Sequence, residues 1–262
     1  MRFLLIAMAV VAAVMAYHLP ADSKTGAGLA LFVLIGLLWL SEAIPLTFTA
    51  LLVPVLGVGL GLANLDSALA GFAHPVVALF LGGFALAAAL SEHGIDRWLA
   101  QRLLTLAGGR ALPAALLLAV TTALLSMWIS NTATTAMMMT VILPIIARVK
   151  NNDPLRIGLA LSIPFAANIG GIATPIGTPP NAVVLGALNQ QGITIAFGEW
   201  MVLAVPLVVV ALLMAWFILT QMFKAQTDHV EIDMSGRFNT SKNAILLYVV
   251  FGITVLLWIT EK

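Results

Sequence analysis

Two blocks of neutral, oxygen-bearing side chains interrupt an otherwise apolar chain. The first runs from Ser126 to Thr135 as Ser-Met-Trp-Ile-Ser-Asn-Thr-Ala-Thr-Thr, and the second from Gly170 to Asn181 as Gly-Gly-Ile-Ala-Thr-Pro-Ile-Gly-Thr-Pro-Pro-Asn. Neither contains Lys, Arg, Asp or Glu, so a ligand there would be held by hydroxyl and amide oxygens and by backbone dipoles. A hard cation such as sodium asks for several oxygens with little directional demand, by analogy with calcium and magnesium. Ser126, Ser130, Asn131 and Thr132, with carbonyls freed where a helix breaks between Thr174 and Gly177, supply that chemistry. Ser126 and Ser130 are four apart and share a helix face. At a break, carbonyl ends favour a cation and amino ends favour a carboxylate.

A plainer reading competes with this one. Isolated Ser and Thr in membrane helices usually bond back to their own helix or to a neighbour, and Gly-Pro stretches usually mark kinks. The density of polar groups in the first block weighs against that reading. Glu42 and Glu261 read as interfacial end-caps, His74 and His93 as solvated groups at span ends, and Met137, Met138 and Met139 as packing.

The blocks must be positioned by membrane helices. The chain of 262 residues is 61% hydrophobic and only 9% charged, with mean hydropathy +1.08, far from the composition of soluble domains. Recurrent long apolar runs without two-residue alternation predict an all-α polytopic membrane protein rather than a barrel. A net charge of +1 gives no hint of nucleic acid, and zero Cys excludes disulfides and thiol chemistry. The first helix, within residues 1–25, could pass for a signal peptide, but no small-x-small cleavage site precedes Lys24. An intramembrane enzyme would need a motif such as His-Glu-x-x-His or Gly-x-Ser-x-Gly, and neither occurs. A membrane scaffold would leave both polar blocks unexplained.

In order, apolar spans are expected at about 3–17, 26–44, 47–62 and 75–90, within a scaffold-type region 26–90. An amphipathic stretch at 91–110 follows, with Trp98, Leu99, Leu103 and Leu106 at helical spacing, and reads as an interfacial helix. The region 111–190 holds two arms, 111–129 and 133–147, and a broken helix, 155–188. A span at 199–223, a connector at 224–242 and a last apolar run within 243–262 complete the chain. Lys and Arg cluster at Arg2, at Arg97, Arg102 and Arg110, at Arg148, Lys150 and Arg156, and at Lys224, Arg237 and Lys242. All fall on one side when the spans are counted, which predicts a multi-pass protein of the inner or plasma membrane with a cytoplasmic amino terminus.

Gly36–Glu42 near the end of the second span resembles Thr254–Glu261, and an odd number of crossings between them suggests that a second, inverted repeat begins at 243. Together with the two polar blocks, Trp-Ile-Ser-Asn-Thr-Ala-Thr-Thr-Ala-Met-Met and Gly-Gly-Ile-Ala-Thr-Pro-Ile-Gly-Thr-Pro-Pro-Asn, the chain resembles the amino-terminal half of the divalent anion:sodium symporters, carriers of di- and tricarboxylates. That resemblance implies one half of an inverted-repeat transporter, with Ser130-Asn131-Thr132 at the tip of a re-entrant hairpin. It also implies an elevator motion of 111–188 against a homodimeric scaffold, and a second triplet in a missing carboxyl-terminal half. Sodium is the expected co-substrate, held among Ser126, Ser130, Asn131, Thr174, Gly177 and Asn181. A small carboxylate is expected at Ser130, Asn131, Thr132, Thr178 and Pro179. The alternatives are a carrier of another anion such as sulfate, or a non-transporting fragment or subunit of a split transporter; on either half-chain reading, 1–262 alone should not transport. No interior ionisable residue offers a proton carrier, so sodium coupling is preferred.

Overall fold

The computed structural model describes residues 1–73, 75–230 and 238–260, so His74, Arg237 and Glu261 lie outside the described residues. Twelve α-helices are described: α1 (Arg2–Tyr17), α2 (Ser23–Ser41), α3 (Leu46–Gly59), α4 (Leu65–Ala70), α5 (Pro75–Glu92), α6 (Ile95–Thr105), α7 (Ala111–Ser126), α8 (Asn131–Arg148), α9 (Leu155–Gly171), α10 (Pro179–Gln190), α11 (Phe197–Met222) and α12 (Lys242–Thr260). The chain is an all-helical polytopic membrane protein. Four helical stretches, Ser23–Ser41, Leu65–Glu92, Phe197–Met222 and Lys242–Thr260, are long and apolar enough to cross a bilayer by length and composition. Large apolar side chains are exposed rather than buried along them, as Val202, Leu203 and Leu207 are on α11, which is what a lipid solvent allows.

The helices form two compact units, residues 1–77 and 78–262. In the first, α1 packs on α2 and α2 on α3 around Ala9, Leu38 and Ala43. Asp22 caps α2 by accepting from the Thr25 amide at 2.7 Å. Glu42 ends that helix in the left-handed conformation, φ 48°, so the chain turns there and reaches Pro45 already extended. Beyond α3 the chain forms α4, capped by Asn64 accepting from the Ser67 amide at 2.7 Å, followed by a 3-10 turn, Gly71–Ala73.

In the second unit α9 is the central element, packed on α7, α8 and α11. Its buried face, Leu155, Leu159, Ser162, Ile163, Ala166 and Ala167, follows the 3.6-residue period of one helix face. The core around it contains Leu104, Leu118, Met138, Ile142 and Ile163, so Met138 of the methionine run is a packing residue. Gly170 lets α7 and α9 meet backbone to backbone, because an added Cβ would collide with Ala123. Helix α6 matches the amphipathic stretch. Arg102 lies over the Trp98 ring at 5.8 Å, and Trp98 packs on Phe238 at 4.7 Å between ring centres.

The connector after α11 is partly fixed by a single carboxylate. Asp153, in the turn between α8 and α9, is buried. Its carboxylate accepts from the Leu155 amide at 2.9 Å, from the Gln226 amide at 3.2 Å and from the Thr227 amide at 2.8 Å. Burial pushes its pKa up, but these hydrogen bonds outweigh that and hold it below the ordinary carboxylate value. A carboxylate with a lowered folded pKa stabilises fully above its unfolded value, and that stability is lost as pH falls through the folded one. Asp153→Asn should therefore melt lower than the parent at neutral pH, and thermal scans should show the gap closing below about pH 4. A gap independent of pH would contradict the role of the charge.

Candidate functional site

The first polar block is the turn of a helical hairpin. Helix α7 ends at Ser126 and α8 begins at Asn131, with Ser130 as its N-cap, accepting from the Ala133 amide at 3.3 Å. Ser130 belongs at that position because a short hydroxyl satisfies one of the orphan amides of the first turn. Trp128 anchors the turn, stacked on Phe197 at 6.2 Å and set edge-on to Phe251 at 5.8 Å. Phe197 in turn stacks on Trp258 at 5.3 Å.

The second block is the break between α9 and α10. Two side chains brace it. The Thr174 hydroxyl donates to the Met127 carbonyl, tying the break to the hairpin turn. The Asn181 amide donates to the carbonyls of Gly171 at 2.9 Å and Thr174 at 2.8 Å, which replaces the helical hydrogen bonds that the break forfeits. Pro179 and Pro180 open α10, where a missing N–H costs nothing. The Trp200 indole donates to the Ile172 carbonyl at 2.9 Å, and Ile176 packs against α5 at Gly83.

The two blocks meet at Asn131. One end of its amide lies 2.8 Å from Ser126 Oγ and 3.2 Å from each of the Ala167 and Gly177 carbonyl oxygens. The other lies 3.0 Å from the Asn168 side-chain amide and 3.5 Å from Thr178 Oγ1. Ser126, fully buried, also donates to the Ala167 carbonyl at 2.8 Å. The Asn131 amide admits two orientations of opposite electrostatic meaning. With nitrogen inward it donates to Ser126 and both carbonyls. With oxygen inward, four oxygens face one another with a single hydroxyl proton among them, an arrangement that calls for a cation.

Of the residues expected at a cation, Ser126, Asn131 and Gly177 therefore converge. Ser130 caps the adjacent helix, and Thr174 and Asn181 spend their side-chain donors on the break. Of those expected at an anion, Asn131 and Thr178 approach each other, while Thr132 and Pro179 are exposed beside them. The amino end of α8, which begins at Asn131, lies at the same edge, where the positive end of the helix dipole favours a negative group. Asn168 and the Ala167 carbonyl were missed. An amide alone in the apolar face of α9 could have flagged Asn168, but nothing in a sequence marks a backbone carbonyl.

Comparison with known proteins agrees with this architecture. The citrate transporter family model matches residues 36–262. The chain is 38% identical over 244 residues to an uncharacterized transporter of Haemophilus influenzae, covering 92% of this chain and 52% of that protein. It is 30% identical over 246 residues to the sodium-dependent dicarboxylate transporter of Staphylococcus aureus, covering 86% and 47%. It is 29% identical over 272 residues to an inorganic phosphate transporter of Saccharomyces cerevisiae, covering 99% and 29%. The chain spans about half the length, or less, of the curated relatives it matches. The chain belongs to the citrate transporter family, in keeping with the divalent anion:sodium symporters that its two polar blocks resemble.

Proposed function

We propose that this chain supplies the sodium- and carboxylate-binding hairpin of a sodium-coupled di- or tricarboxylate symporter of the cell membrane, with its amino terminus cytoplasmic. The observation that carries the reading is the oxygen cluster of Asn131, Ser126, Ala167 and Gly177. Sodium, a co-transported substrate, is held by these oxygens with the Asn131 oxygen inward. When no cation is bound, the amide turns its nitrogen inward and satisfies the same carbonyls. The carboxylate lies against the amino end of α8, near Ser130, Thr132, Thr178 and Pro179, where the bound cation offsets its charge. Thr174 and Asn181 serve the cation by holding the break that exposes the Gly177 carbonyl.

On this reading a second, inverted half completes the anion site, and the hairpin with α9 and α10 moves as a body against a dimeric scaffold. The small residues Ala119, Ala123 and Ala166, clustered with Leu212 of α11, form a smooth contact suited to sliding. Cysteine pairs across that contact, readily placed because the native chain has none, should block transport when crosslinked. The relative named for inorganic phosphate supports a second reading, in which the co-substrate is another anion.

Gly171 offers a direct test, because an added Cβ would land on the Asn131 side chain. In a complete transporter, Gly171→Ala should raise the sodium concentration for half-maximal succinate uptake roughly tenfold. The control, Gly186→Ala on α10, meets nothing within 4 Å and should leave uptake unchanged. Unaltered sodium dependence in Gly171→Ala would sink the assignment, and competition by sulfate or phosphate rather than succinate would favour the second reading.

A further inference from the structure

A cavity of 680 Å³ opens at the start of α7, the end of that helix remote in sequence from Asn131, between its first turn, the last two turns of α11 and the start of the connector. Its shape depends on an isolated antiparallel bridge between Arg110 and His229. In that bridge the Ala111 amide donates to the Asp228 carbonyl at 2.9 Å and the Val230 amide to the Gly109 carbonyl at 2.7 Å. The volume falls in the range of small-molecule sites.

Three observations describe what would fit. Arg110 and Lys224 both line the cavity, with His229 beside them and Asp228 as the opposing charge, so the lining is net positive among the described residues and can bind a monoanion. Trp216 also lines it, and its indole N–H is buried without a hydrogen-bond partner among the described residues. A buried donor of this kind is stabilised by an arriving acceptor. Third, the mouth lies at the edge of the apolar belt. Phe217, Ile218 and Met222 are exposed up to the end of α11, Leu112 is exposed at the start of α7, and Lys224 and Arg110 stand one or two residues beyond those helix ends. Basic residues flanked by aromatic side chains at that level meet lipid phosphates.

We propose that this cavity binds the headgroup of an anionic phospholipid. The phosphodiester lies against Arg110, Lys224 and the Trp216 N–H, a headgroup hydroxyl donates to Asp228, and the acyl chains run along Phe217 and Leu112. Such a lipid bridges the start of the hairpin and the end of α11. The site is separate from the Asn131 cluster and does not depend on the function proposed for it.

Native mass spectrometry of the purified 262-residue chain, with phosphatidylglycerol, phosphatidylcholine or inorganic phosphate added in turn, tests this. One phosphatidylglycerol should be retained per chain, in preference to phosphatidylcholine. Arg110→Ala combined with Lys224→Ala should weaken retention by about tenfold or more. Trp216→Phe keeps the ring and removes the donor, and should weaken it by roughly threefold; it carries the test if the double variant fails to fold. Equal retention of the two lipids, wild-type retention in both variants, or full displacement by inorganic phosphate would overturn the lipid assignment, the last outcome pointing to a soluble phosphate ligand instead.

Discussion

Asn131→Ala in a complete transporter should weaken sodium and carboxylate together, each by roughly tenfold or more, while the protein still reaches the membrane. The expectation rests on the position of one amide. Its inner end faces Ser126 Oγ, the Ala167 carbonyl and the Gly177 carbonyl, and its outer end faces Asn168 and Thr178. On the proposed reading, truncation removes one cation ligand and also takes from the Gly177 carbonyl the donor that meets it when no cation is bound, the Ala167 carbonyl keeping its bond from Ser126. The anion then loses the positive charge that offsets its own, so its affinity falls although α8 is intact. Sodium titrations of succinate binding, and succinate titrations at fixed sodium, read the two effects separately. Loss of succinate affinity with normal sodium affinity would make Asn131 an anion contact only, and normal affinity for both would remove it from the site.

Gly170→Ala should have the larger effect on stability. An added methyl would meet the backbone of Ala123, and a backbone cannot rotate away as a side-chain tip can. Helices α7 and α9 would have to separate, loosening the packing of Ala119, Ala123 and Ala166 and shifting Ser126 away from the Ala167 carbonyl it now bonds at 2.8 Å. Overpacking of this kind costs about 3 kcal/mol or more, which corresponds to a fall of roughly 6 °C or more in melting temperature. Thermal unfolding in detergent, beside Gly186→Ala, would measure it. An unchanged melting temperature would mean that the two helices are not held at this distance.

The close approach at Gly170 and the cluster at Asn131 show different dependence on sequence. Length and apolarity alone located every long helix to within a few residues, because a segment in lipid must satisfy its own backbone and so reveals itself by composition. The charge-free Ser-Asn-Thr turn and the Gly-Pro break were legible as interruptions for the same reason, since polar groups inside an apolar chain need a partner. Ser126 could be paired with Ser130 from spacing, yet the structure gives Ser130 to the cap of α8 and turns Ser126 toward α9. That choice depends on where α7 ends and how near α9 stands, which no local pattern encodes. The short helix α4 escaped because six residues are too few for a periodic signal. Asp153 has three amide partners, two of them more than seventy positions away and so invisible to any local pattern. The sequence by itself determined the membrane class, the helices and the neutral character of the two polar blocks. Only the tertiary structure decided which oxygens face one another, because the carbonyls of Ala167 and Gly177 reach the Asn131 amide through the direction of the backbone and not through the identity of the side chain.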